Sequence, residues 1–248
     1  MKLYTLGTGS GSSVKGRTCS VNVIESCGNL YIFDCGGNIE EQFVNMQLPF
    51  HNIKAVFITH MHRDHVQSLP GILYRAELSS RDSVEKKEKL DVFLPEEKGV
   101  YGLKIWLDSM YMEKTKAFLN YFVVGDGVIY KDDFITVTAI PTKHIDYGQN
   151  PSFAYKIEGE GKRFIYTGDL CDTFEDYPSV IFKEDFDCVL CELSHLNIQN
   201  NLNTIINSKT KKMIFTHVDF AHISDIESVK DEIPFEITVE NDGMCFEI

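Results

Sequence analysis

Six consecutive positions, His60-Met61-His62-Arg63-Asp64-His65, carry three imidazoles and a carboxylate. Histidine supplies only 8 of the 248 residues, so this density asks for a chemical reason rather than a turn that happens to be polar. The segment follows the apolar run Ala55 to Ile58, and side chains on a loop leaving a strand can fan around one centre. Imidazole with carboxylate is the donor set that suits zinc, manganese or iron. Three later residues stand where short β-rich runs stop: His144 after Asp133 to Ile140, Asp169 in Thr167-Gly168-Asp169 after Arg163 to Tyr166, and His217 at the end of Met213 to Thr216. A lone histidine at a strand end is more often structural. Four strand ends that all terminate in metal donors point instead to one site assembled along a sheet edge.

The elements that must position these residues can be read from hydrophobic periodicity. Leu3 to Leu6, Val21 to Ile24 and Leu30 to Phe33 alternate with turn residues and read as hairpin-connected strands. Ala55 to Ile58, the histidine-rich loop and Val66 to Leu78 form a strand, loop and helix unit. Pro95 to Phe122 carries apolar residues at helical intervals and predicts one or two helices. Strands resume with Asp133 to Ile140, Phe153 to Ile157, Arg163 to Tyr166, Cys188 to Cys191 and Met213 to Phe215. Helices are expected over Asn197 to Asn207 and Asp225 to Asp231, the second with a Ser224/Glu227 capping box. This order suits an α+β architecture: two sheets face to face with helices outside, a four-layer αββα sandwich formed by a single domain over residues 1–248.

Composition narrows the function. A 248-residue chain with 43% hydrophobic residues can bury a substantial core. No stretch approaches the roughly 18 to 20 apolar residues of a membrane span, and the N-terminal residues enter a strand pattern, so a soluble, cytoplasmic protein is expected. Seven cysteines, an odd number in a chain of this size, are expected as reduced thiols. Cys188 and Cys191 have CxxC spacing but fall on a strand, where residues three apart point to opposite faces. A net charge of −13 disfavours long nucleic acid, because a grip on a polyanion needs a basic surface. The lysine-rich piece Arg81 to Lys89 also carries Asp82, Glu85 and Glu88 and reads as a solvated helical face. The Gly/Ser-rich segment Gly7 to Gly16 contains neither GxGxxG nor GxxxxGK[ST] and is no nucleotide cradle; Ser10, Ser12, Ser13 and Arg17 are candidates for touching substrate.

The HxHxDH pattern at His60, His62, Asp64 and His65, with a later histidine, a TGD aspartate and a final Thr-His, resembles the metallo-β-lactamase superfamily. Leu6-Gly7-Thr8-Gly9-Ser10, Lys15-Gly16-Arg17, Phe33-Asp34-Cys35-Gly36 and Leu69-Pro70-Gly71 are similar to its ribonuclease Z-like members. The resemblance implies the metallo-β-lactamase/ribonuclease Z-like fold and two divalent metal ions, zinc first, with manganese or iron as alternatives. It assigns His60, His62 and His144 to one metal and Asp64, His65 and His217 to the other, with Asp169 bridging. It also implies a hydroxide nucleophile held between the cations, the pKa of water falling from 15.7 towards about 7. Asp34 is similar to the carboxylate that accepts the outer N–H of a ligating imidazole. His195, 22 positions before His217, stands where these sequences hold a histidine that touches phosphate and transfers a proton. Glu192, in Cys191-Glu192-Leu193-Ser194-His195, resembles the glutamate that orients neighbouring groups. The alternative is that Ser194 caps a helix whose first residue is His195. His51 and His222 read as surface or packing residues.

Two departures limit the resemblance. Only 25 positions separate His144 from Asp169, which leaves no room for the protruding tRNA-binding arm of the tRNA-processing members. Arg63 stands where those enzymes carry glycine. Together with the acidic charge, these features favour a binuclear hydrolase of a small phosphodiester, a cyclic nucleotide or nucleotide fragment, with Asp64, His195 and Glu192 in catalysis. The alternatives are a ribonuclease Z-like endoribonuclease or a hydrolase of another ester, and last a non-hydrolytic redox member. The resemblance also allows a homodimer.

Overall fold

The computed structural model describes residues 1–82 and 89–248; the segment 83–88, most of the lysine-rich stretch read as a solvated helical face, lies outside the described residues. One seven-stranded sheet has the order β14-β1-β2-β3-β4-β5-β6, with β1 Lys2–Gly7, β2 Val21–Ser26, β3 Asn29–Phe33, β4 Ile53–Phe57, β5 Leu90–Leu94, β6 Leu119–Val123 and β14 Met244–Glu247. The other has the order β13-β12-β11-β10-β9-β8-β7, with β7 Gly127–Lys131, β8 Thr136–Pro141, β9 Phe153–Gly159, β10 Lys162–Tyr166, β11 Cys188–Glu192, β12 Lys212–Thr216 and β13 Glu236–Val239. The helices are α1 Ile39–Asn45, α2 Arg63–Val66, α3 Leu69–Asp82, α4 Glu97–Ser109, α5 Glu113–Phe118, α6 Ile198–Ile206 and α7 Ile223–Val229. None of these is long and apolar enough to cross a membrane.

Side-chain alternation explains the layering. Along β3, Tyr31 and Phe33 enter the core between the sheets while Leu30 and Ile32 enter the core under α1 and α3. The parallel register sets Phe33 opposite Phe57, Phe57 opposite Phe93 and Phe93 opposite Phe122. Those four rings stack in a row across the first sheet with centroids 5.0, 4.8 and 4.8 Å apart. Tyr155 of β9 leans on Phe33 and Phe57 from the opposite sheet. Each such ring pair contributes about 0.5–1.5 kcal/mol beyond area burial. Cys188 lies in this inter-sheet core and Cys191 in the core under α6 and α7, so the CxxC pair does face opposite ways.

Strands β3 to β6 are mutually parallel, as are β10 to β13, and β8 runs with β10 because both are antiparallel to β9. Their C-terminal ends therefore leave one edge of the sandwich. Cross-links fix the two sheets at that edge: the Tyr155 hydroxyl donates to the Ile58 carbonyl (2.7 Å) and the Phe153 amide to the Thr59 carbonyl (3.1 Å).

Several elements depart from expectation. Leu119–Val123, read within a helical stretch, is β6, because pairing with β5 outweighs local periodicity. The expected strand from Asp133 starts at Thr136, since the Asp132 carboxylate accepts the Phe134 and Ile135 amides and turns the chain. Strands β7, β13 and β14 lie at sheet edges with half-buried patterns too weak to read. The expected helix Val66 to Leu78 is the pair α2 and α3. Ser224 caps nothing: the N-cap of α7 is His222, without a side-chain cap bond.

Gly36 shows how tightly the edge is packed. A Cβ there would sit 1.5 Å from the Asp64 carbonyl oxygen and 2.3 Å from its carbon, both backbone atoms. Gly36→Ala is expected to destabilise the protein by about 1–3 kcal/mol or more, read as a lowered Tm in a thermal melt. An unchanged Tm would show that this contact is slack.

Candidate metal centre

The loop after β4 carries His60 and His62, and α2 carries Asp64 and His65. His144 follows β8, Asp169 follows β10 and His217 follows β12. All seven meet at the common strand edge. Donor atoms of His60, His62, His144 and Asp169 lie within 4.8 Å of one another, and so do those of Asp64, His65 and His217. The His62 Nδ1 is 2.9 Å from His60 Nε2 and 3.1 Å from His144 Nε2. Asp64 Oδ2 is 3.2 Å from His217 Nε2 and 3.5 Å from His65 Nε2. Asp169 Oδ2 faces both groups, at 3.8 Å from His60, 3.7 Å from His144, 3.4 Å from His65 and 3.5 Å from His217.

The protonation pattern tests whether these residues suit a cation. Asp34, an acceptor when ionised, takes His65 Nδ1–H (2.8 Å), which turns His65 Nε2 towards the centre. The Leu170 carbonyl accepts His144 Nδ1–H at 3.1 Å, which turns that ring's Nε2 towards the centre as well. The Thr59 hydroxyl donates to Asp34, so its oxygen is free to accept His60 Nδ1–H at 3.0 Å. The inner nitrogens of His60, His65 and His144 therefore converge on one centre, the arrangement that a cation would use. Among the described residues, His65 Nε2 and Asp169 Oδ1 are buried with no hydrogen-bond partner, the condition expected of donors reserved for a metal.

The electrostatics agree. Burial, with the neighbouring imidazoles, pushes the His60 pKa well below the usual histidine value, so this ring is a neutral donor. Burial also opposes charge on His65, yet Asp169 and Asp34 push its pKa well up. The carboxylates around His65 thus favour a positive charge at this place, which a divalent cation would also supply. Burial disfavours ionised Asp64, but its bond to His217 and the charge of His65 hold it at about 2. Burial disfavours ionised Asp169 too, and His217 and His65 pull it well below the usual range. Both carboxylates are available as ligands at neutral pH.

His195 sits between the two donor groups, its ring 4.8 Å from that of His144 and 5.7 Å from that of His217. Glu192, fully buried at the end of β11, accepts the Ser194 and His195 amides at 2.8 Å each and meets His195 Nδ1 at 3.1 Å. Helix α6 begins at Ile198 with Asn197 as its cap, so Ser194 is not a cap and His195 is not a first helical residue. Arg17 is a correction: it is buried, donating to Thr8 Oγ1 and to the Glu240 carbonyl, and does not reach outward to substrate. Ser12 and Ser13 lie exposed in the Gly-rich loop, Ser10 half-buried. His51 is exposed and His222 half-buried beside Asp225, as expected. Sequence reasoning missed Thr59 and Tyr166, whose hydroxyls both bond Asp34. Their signal was position alone: each stands within three residues of a donor on the same strand end.

A family model described as "Anti-Pycsar protein Apyc1" matches residues 1–230. The ribonuclease Z of Shouchella clausii is 31% identical over 165 residues, covering 65% of this chain and 49% of that protein. The chain spans about half the length of the curated relatives it matches. Among solved structures, the short form of human tRNase Z (ELAC1) superposes with a TM-score of 0.76 at 21% identity, covering 100% of this chain and 99% of the other. The metallo-β-lactamase fold protein YhfI from Bacillus subtilis superposes with a TM-score of 0.74 at 17% identity, covering 99% of each. The fold and the ribonuclease Z-like relationship read from the sequence both hold.

Because Asp34 fixes which nitrogen His65 presents, Asp34→Asn is expected to weaken retention of divalent metal about 10–100-fold, measured by metal titration with elemental analysis after dialysis. Undiminished affinity in a folded variant would remove Asp34 from the site.

Proposed function

The chain is a member of the Anti-Pycsar protein Apyc1 family with the metallo-β-lactamase fold, and on that footing we propose that it is a metal-dependent phosphodiesterase acting on a small phosphodiester. The reading rests on one observation above all: seven donors from four strand ends converge in two groups that share Asp169, with His195 seated at their junction. His60, His62 and His144 would hold one cation and Asp64, His65 and His217 a second, with Asp169 placed to serve both. Zinc is the first candidate for this set, with manganese and iron able to use the same ligands. Two such cations, when bound, supply a water nucleophile at neutral pH and neutralise charge on the phosphoryl group.

The chain's own residues supply the rest. Asp34, the Leu170 carbonyl and Thr59 hold three of the imidazoles by their outer nitrogens, so each presents one nitrogen inward. Glu192 holds His195 by Nδ1, which directs Nε2 away from the glutamate. Burial opposes a charged His195, but the bond to Glu192 and its charge outweigh that and push the pKa up to about 9. Glu192 thus favours the protonated form of His195, which fits it as the general acid for the departing alkoxide, a poor leaving group until protonated. Bound cations would act in the opposite direction and lower that pKa.

A small substrate, a cyclic nucleotide or a nucleotide fragment, fits a body of net charge −13 better than a long polynucleotide does. Cleavage of RNA or of another ester is the competing outcome. Turnover of cyclic nucleotides, bis(p-nitrophenyl) phosphate and an RNA oligonucleotide by metal-loaded protein separates the three; no phosphodiester turnover at all sinks the proposal. Wild type is expected to contain zinc by elemental analysis, His60→Ala to lose it, and His195→Ala to keep it while kcat drops about 10²–10⁴-fold.

The sign of the pH dependence follows from Glu192. Activity that needs protonated His195 is lost as pH rises through its pKa, and removing the carboxylate lowers that pKa. Glu192→Gln is expected to shift the basic limb of the kcat profile to lower pH, and His195→Ala to abolish it. A basic limb unmoved in both variants would remove His195 from proton transfer.

A further inference from the structure

Arg63 lies between His62 and Asp64, yet its side chain turns away from both donors. One guanidinium nitrogen, Nη2, donates to the Gly11 carbonyl at 2.6 Å, and the other, Nη1, donates to Gln67 Oε1 at 2.6 Å. Gln67 is anchored in turn, its amide nitrogen donating to the Gly36 carbonyl. The far end of this chain of bonds is the Gly-rich loop. That loop leaves β1 beside His217: the Val218 amide donates to the Thr8 carbonyl (2.7 Å), and Gly9 bridges to Val218 and to Cys19. It returns through a closed turn in which Val14 and Arg17 exchange backbone bonds of 2.9 and 3.0 Å. Residues 11–16 between these anchors are exposed. The strand of loop from Gly9 to Gly11 thus runs from the neighbour of His217 to the neighbour of Asp64, alongside the group formed by Asp64, His65 and His217.

From this geometry, and resting on the phosphodiesterase reading above, we propose that Arg63 is a specificity-determining residue: it pins the 10–16 loop across that side of the mouth, so a small phosphodiester enters while an extended RNA chain does not. A polynucleotide cleaved internally must leave the site in two directions, and a loop tied down on one side removes one of them. A small diester needs a single opening. Two hydrogen bonds in a fixed fork match the planar guanidinium, and a lysine ammonium reproduces the charge without that fork.

The test uses full-length, metal-loaded protein as wild type, Arg63→Ala, Arg63→Lys and Gln67→Ala, with two readouts. Amide hydrogen exchange over residues 9–17 reports the pin without any substrate. The ratio of kcat/KM for bis(p-nitrophenyl) phosphate to that for an RNA oligonucleotide reports specificity. In Arg63→Ala, exchange at the hydrogen-bonded loop amides of Gly9, Val14 and Arg17 is expected to rise about tenfold as the loop opens more often, on the order of one lost hydrogen bond, and the ratio to shift at least about tenfold towards RNA. Gln67→Ala, which keeps the charge but frees the guanidinium, moves both readouts in the same direction by a smaller factor, and Arg63→Lys behaves like Arg63→Ala. Unchanged exchange or an unchanged ratio in Arg63→Ala overturns the proposal, as does full restoration by lysine, which would reduce Arg63 to a point charge. Wild type inactive on both substrates sinks the phosphodiesterase reading itself; wild type active with an unmoved ratio sinks only the role of Arg63.

Discussion

The Asp34 carboxylate is the node on which the rest of the site depends. It is fully buried between the sheets, where an unpaired charge costs several kcal/mol. It escapes that cost by accepting four bonds, from the Thr59 amide (2.8 Å), the Thr59 hydroxyl (2.9 Å), His65 Nδ1 (2.8 Å) and the Tyr166 hydroxyl (2.8 Å). Those donors come from the first donor segment, from α2 and from β10 of the opposite sheet. One side chain therefore sets the spacing of three separate pieces of chain and the tautomer of a ligand. Asp34 holds a left-handed backbone, φ +63°, which a non-glycine residue adopts at a cost of about 1–3 kcal/mol and keeps only where its surroundings over-determine it. His217, at φ +49°, is a second such residue, with its Nδ1 buried and unpartnered, so its aim depends on backbone rather than on a bond to its ring.

An edge built this way leaves polar groups unsatisfied: among the described residues, His65 Nε2 and Asp169 Oδ1 are buried without hydrogen-bond partners. The aromatic row from Phe33 to Phe122 and the apolar strand faces below supply the stability that lets the edge be poor in its own right. A ligand that binds only this arrangement satisfies those atoms and stabilises the fold by its own binding free energy. The division of labour is spatial: packing at the middle of the sandwich, chemistry at the rim where parallel strands run out.

Much of this was legible in the sequence for a definite reason. Metal donors must stand close in space, and a loop after a buried strand achieves that with neighbours in sequence; hence His60 to His65 declares itself. His144, Asp169 and His217 were legible only because apolar strands end just before them. What stayed hidden depends on partners far along the chain. Tyr166 looks like one more core aromatic until its hydroxyl is seen at Asp34, 132 positions away. Arg17 reads as a cation waiting for an anion, whereas it is spent on the Glu240 carbonyl and Thr8. Strand β6 hid within a helical period because its pairing with β5, not its own residues, decides its conformation.

The acidic body and an anionic substrate are reconciled by range. Between exposed charges, screening at physiological salt confines interactions to a Debye length of about 8 Å. On the proposed reading, positive charge near the site would be local: His195, the Arg63 guanidinium and any cations that the donors hold. A phosphodiester small enough to fit within that radius feels mainly these groups. A polynucleotide places most of its phosphates beyond it, against a surface whose balance is 37 acidic to 24 basic side chains. On the phosphodiesterase reading proposed above, charge would sort substrates by size without any contact to a base, in the same direction as the proposed pinning of the Gly-rich loop by Arg63, with the donor set unchanged.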